Sequence, residues 1–86
     1  MSPYRVAPGV HWIVGRTALT IVGRSGVAST IGYPDAAVWD FLSRGYDLGG
    51  VADLVSAIAA IEPADAEHLV RSAVADWMAR GLVEQA

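Results

Sequence analysis

Gly26-Val27-Ala28-Ser29-Thr30-Ile31-Gly32-Tyr33 is followed at once by Pro34-Asp35, and the fold turns on how this stretch is read. Its β-branched residues favour an extended strand. Alternation places Val27, Ser29 and Ile31 on one face and Ala28, Thr30 and Gly32 on the other, the pattern of a sheet with one buried side. The side chains are small and none is charged, so the run lacks the lysine that commonly deters a second chain from pairing with an exposed edge. Beyond Tyr33 the composition changes to Ala, Leu and acidic residues at helical spacing.

Upstream of that boundary, Val10 to Val14 and Thr17 to Val22 are predicted strands. Gly15-Arg16 separates them, and Gly23-Arg24-Ser25-Gly26 separates the second from Val27 to Ile31. Links this short imply an antiparallel meander with the third run at an edge. Downstream, a first helix is predicted from Pro34 or Asp35 to near Gly45. Proline is tolerated in a first turn, and an aspartate there suits the helix dipole. Val38, Phe41 and Leu42 form its core stripe, with Trp39 beside it, covering the sheet or left partly exposed. A second helix, roughly Gly50 to Ala60, carries Val51, Leu54, Val55 and Ile58, followed by Ile61, at spacings of three and four. The third, about Ala64 to Arg80, ends at Gly81, a good residue for the left-handed position after a helix. The expected architecture is α+β and winged-helix-like: a three-stranded antiparallel sheet followed by three helices, in a single domain over residues 1–86.

Projected at the helical angle, the third helix has an apolar arc from Leu69 through Ala73, Ala66, Trp77 and Val70 to Val74 and Met78. That arc is wider than one packing contact requires. Asp65, Asp76 and Arg80 flank one side of it, and Glu67 and Arg71 the other.

Composition excludes several classes of function. The 86 residues carry a net charge of −3, with nine acidic groups and six basic ones, all arginine, so no broad basic field is available for nucleic acid. A winged-helix DNA-binding regulator is the alternative reading, but its reading helix would offer only Arg71 and Arg80 against Glu67 and Asp76. The absence of cysteine removes disulfides, thiolate nucleophiles and Cys-ligated zinc. His11 and His68 are far apart and have no second ligand at metal spacing. Asp35 and Asp47 read as helix-start residues, and no phosphate-binding or nucleophile motif is present. The expectation is a chain that is not an enzyme and needs no cofactor or metal. The N-terminus does not resemble a signal peptide, and the apolar stretch from Val51 to Ile61 is too short to span a bilayer, so a cytoplasmic protein without membrane contact is expected.

Val38-Trp39-Asp40-Phe41-Leu42-Ser43-Arg44-Gly45 resembles the "I-W-x-x-L-x-x-G" helix of the PqqD-like family, the recognition elements for precursors of ribosomally made, modified peptides. Val70-x-x-Ala73-Val74-x-x-Trp77-x-x-x-Gly81-Leu82-Val83 is similar to that family's final helix, with Ala73 where an aromatic is usual. Val51, Leu54 and Ile58 fall on its middle helix, and Tyr4 to Val10 on its approach to the first strand. The resemblance implies an adaptor that binds the leader region of a precursor peptide as an added strand between the third strand and the third helix. It implies delivery of that peptide to a modifying enzyme, whether a radical-SAM protein, a leader peptidase or a cyclase. On this reading Val27, Ala28, Ser29, Thr30 and Ile31 supply the pairing edge, and Leu69, Ala73, Asp76 and Trp77 the groove wall. Glu67, Arg71 and Met78 are the alternative flank. A Ser29→Pro change is expected to remove an edge donor. A third reading is a structural homodimer in which the groove holds a second copy of the chain.

Overall fold

A computed structural model describes residues 2–86. Five strands and three helices follow in the order β1 (Tyr4–Val6), β2 (His11–Val14), β3 (Ala18–Val22), β4 (Ala28–Gly32), α1 (Asp35–Ser43), α2 (Leu48–Ala59), α3 (Pro63–Ala79) and β5 (Val83–Gln85). Strands β2, β3 and β4 form the expected antiparallel meander, with β4 on one edge. The three predicted strands and three predicted helices are thus all present, each displaced by a residue or two at its ends.

A second, two-stranded sheet, absent from the sequence expectation, accompanies the meander. Strands β1 and β5 pair antiparallel, Val6 opposite Val83 and Tyr4 opposite Gln85, with an ion pair of 2.9 Å between Arg5 and Glu84. Main-chain bonds extend this pairing at both ends, from Ala7 N–H to the Leu82 carbonyl and from Ala86 N–H to the Pro3 carbonyl. The C-terminal segment therefore closes on the start of the chain and leaves the outer edge of β4 uncovered.

Of the two placements that the sequence leaves open to it, Trp39 has the one that covers the sheet. It is fully buried at the centre of the core, with its ring edge-to-face against Trp12 of β2 at 5.7 Å and Trp77 of α3 at 5.1 Å. Such pairs contribute about 0.5–1.5 kcal/mol beyond area burial, and here they tie the sheet to α1 and α3. Ile58, assigned to the apolar stripe of α2, is instead exposed; it lines a shallow apolar depression with Tyr33, Pro34 and Ala59. Helix α2 begins at Leu48, two residues before the expected Gly50, and Asp47 is the helix-start residue that the sequence indicates: its carboxylate caps the helix, accepting from Gly50 N–H at 2.7 Å.

Candidate functional site

The β3–β4 ladder determines what the edge can offer. Gly23 N–H donates to the Val27 carbonyl at 3.0 Å, and the register continues with Ile21 opposite Ser29 and Leu19 opposite Ile31. In an antiparallel pair, bonded and non-bonded positions alternate, so Val27, Ser29 and Ile31 direct their main-chain groups inward to β3. Ala28, Thr30 and Gly32 direct theirs outward, to the unpaired edge. The side chains follow the opposite division. Ser29 and Ile31 are half-buried toward the helices, whereas Ala28 and Thr30 are exposed on the outer face, where the Thr30 and Thr20 hydroxyls hydrogen-bond at 3.1 Å.

This alternation corrects one sequence expectation. The N–H of Ser29 belongs to the β3 ladder, and the free donors are those of Ala28 and Thr30. Ser29→Pro would therefore break the sheet rather than strip its edge.

Between β4 and α3 runs an open groove of about 500 Å³, with Ile31 on the strand side and Leu69, Ala73, Asp76 and Trp77 among its helix-side residues. Ala73 and Trp77 are almost wholly buried and form the floor, while Leu69 is half-buried and Asp76 is exposed. Asp35 and His68 also line this groove; the sequence marks Asp35 as a helix-start residue and His68 as a histidine without a second ligand, and neither signal points to a groove wall. The geometry also separates the two flanks of α3. Glu67 and Arg71 line a different depression, against Leu48, Gly49 and Ala52 of α2, so they face away from β4. Arg71 and Arg80 consequently open onto separate hollows, which leaves α3 without the joined basic face that a DNA reader would need.

Adjoining the groove at the start of β4 is a second hollow of about 270 Å³, lined by residues that include Val27, Ser29, Arg24 and Arg80. Arg80 lies on both hollows. Its guanidinium donates to Ser29 Oγ and reaches Asp76 Oδ2 at 3.4 Å, so it spans from α3 to β4. Among the described residues, no cluster of His, Asp and Glu has metal-binding spacing, and no helix is long and apolar enough to cross a membrane.

No family model matches the chain, and no curated protein matches it. Its fold does match solved structures. One is TbiB1 in complex with the TbiA(beta) leader peptide, with a TM-score of 0.86 and 14% identity over 93% of this chain and 94% of that one. Another is lasso peptide synthetase B1 complexed with the leader peptide, with a TM-score of 0.85 and 20% identity over 96% of this chain and 99% of that one. Over more than nine-tenths of its length, this chain shares the architecture of two proteins that were solved with leader peptides bound.

Proposed function

We propose that this protein is a leader-peptide-binding adaptor that takes the leader of a ribosomally made precursor as a fourth strand on β4. The observation that carries the reading is the uncovered β4 edge beside the apolar floor of α3. The edge presents the main-chain groups of Ala28, Thr30 and Gly32, and the floor is Ala73 and Trp77. The likeness to two leader-bound proteins of the same fold supports it. An incoming strand gains about 1 kcal/mol per main-chain hydrogen bond, so most of its affinity must come from apolar side chains seated between Ile31, Leu69 and the Ala73–Trp77 floor.

The adaptor supplies no chemistry of its own. It presents the peptide to a separate modifying enzyme, a radical-SAM protein, a leader peptidase or a cyclase, and it works in the cytoplasm where such precursors are made.

The test is an NMR titration with a panel of synthetic lasso-precursor leader peptides, the TbiA(beta) leader among them. Amide shifts centred on Ala28–Gly32 and on the Leu69–Trp77 side of α3 are expected. Saturable binding that shifts only Glu67, Arg71 and the α2 face would refute strand addition, as would failure of every leader to bind.

A further inference from the structure

The hollow at the start of β4 has a chemistry different from the groove it continues. Two arginines, Arg24 and Arg80, line it, and no carboxylate does. The chain as a whole is negative, so a lining with two arginines departs from the average composition, although Asp76 reaches Arg80 from the neighbouring groove at 3.4 Å. Arg24 makes no ion pair with any described residue. Its aliphatic stem lies so close to the turn before β2 that a Cβ on Gly9 would sit 2.8 Å from Arg24 Cγ, and Gly9 itself has φ +82°. The stem is thus packed against the turn while the residue remains exposed at the hollow. Arg80 is held only by an exposed aspartate and a serine hydroxyl. Contacts of that kind are weak in water and can be exchanged for a better acceptor.

Resting on the leader-binding reading, we propose that Arg24 and Arg80 form a subsite for a side-chain carboxylate of the bound peptide. An aspartate or glutamate at the end of the added strand enters this hollow, and Arg80 leaves Ser29 Oγ to meet it. A guanidinium suits this role because it donates two parallel N–H bonds to one carboxylate. The subsite sets the register of the peptide along β4: the apolar anchors occupy the Ile31–Leu69 section while the acid is held at the other end. A strand bound through main-chain groups alone has weakly specified register, and an end-on ion pair removes that ambiguity.

The experiment uses a leader from the panel that binds and that contains at least two acidic residues. Each Asp is changed to Asn and each Glu to Gln in turn, and binding is measured to the wild-type protein, to Arg24→Gln and to Arg24→Lys. One peptide position is expected to matter: its neutralisation weakens binding to the wild type about fivefold, the scale of a part-exposed ion pair, and by a clearly smaller factor in Arg24→Gln, where Arg80 alone remains to meet the acid. Arg24→Lys, which keeps the charge, retains part of the effect. The Nε–Hε resonances of Arg24 and Arg80 shift with the native peptide and not with the neutralised one. If the leader binds but every neutralised peptide loses the same factor against wild type and Arg24→Gln, the subsite is refuted while the adaptor reading stands. If no leader binds at all, both fall together.

Discussion

Proline scanning along β4 separates residues that differ by a single position. Thr30 has its N–H on the free edge, where proline is tolerated, so Thr30→Pro is expected to keep the far-UV circular dichroism of the wild type. It should weaken leader binding about fivefold, one main-chain bond's worth. Ser29→Pro removes a β3 ladder bond and should lower the melting temperature whether or not peptide is present. A wild-type affinity in folded Thr30→Pro would count against pairing at that residue. On the facing helix, Ala73→Leu extends a side chain from the floor into the groove, so leader binding should fall with little change in secondary structure, as read by titration calorimetry. In the core, Trp39→Ala should cost about 3–5 kcal/mol in urea unfolding, the range for emptying a buried aromatic site. The central position of Trp39 could not be read from helical spacing, because its partners Trp12 and Trp77 come from a strand and a helix distant in sequence. The direction of each β4 amide was hidden for a similar reason. Side-chain alternation is written in the sequence, but which alternate amide faces β3 depends on the hairpin register.

The elements show the same division between local and distant signals. Helices α1 and α3 were legible from apolar spacing, from Pro34 and Pro63 near their starts and from Gly81 after α3. The start of helix α2 is obscured in the sequence by Gly49-Gly50, whose low helical propensity the Asp47 cap overcomes. Asp47→Ala should cost about 1 kcal/mol of stability, measurable by chemical denaturation. Strands β1 and β5 have three residues each and pair across nearly the whole chain, so neither carries a local pattern long enough to recognise. The groove wall is legible as a broad apolar arc on α3, yet the side of that arc that faces β4 follows only from the packing of Glu67 and Arg71 toward α2. Hydrogen exchange gives the direct check on the edge. Amides of Ala28 and Thr30 should exchange quickly in the free protein and slow on adding leader, while those of Ser29 and Ile31 should already be protected.

At the scale of the whole molecule, the tryptophan cluster links the candidate groove to the opposite strand of the sheet. Trp77 lies in the groove floor and touches Trp39, which touches Trp12 on β2. Intrinsic fluorescence should therefore report docking. Leader addition is expected to change the emission of the wild type and of Trp12→Phe, and to change that of Trp77→Phe much less. An unaltered response in Trp77→Phe would mean that the peptide does not rest on that floor.

Because Ala86 N–H bonds to the Pro3 carbonyl, the polypeptide enters and leaves the domain at nearly one point. Such a unit can be spliced into a surface loop of a larger host, or tethered from either extremity, at small entropic cost. Grafting it onto an unrelated catalyst as a cassette should leave the docking ledge on β4 accessible, so substrate capture could be moved between enzymes as a separate part.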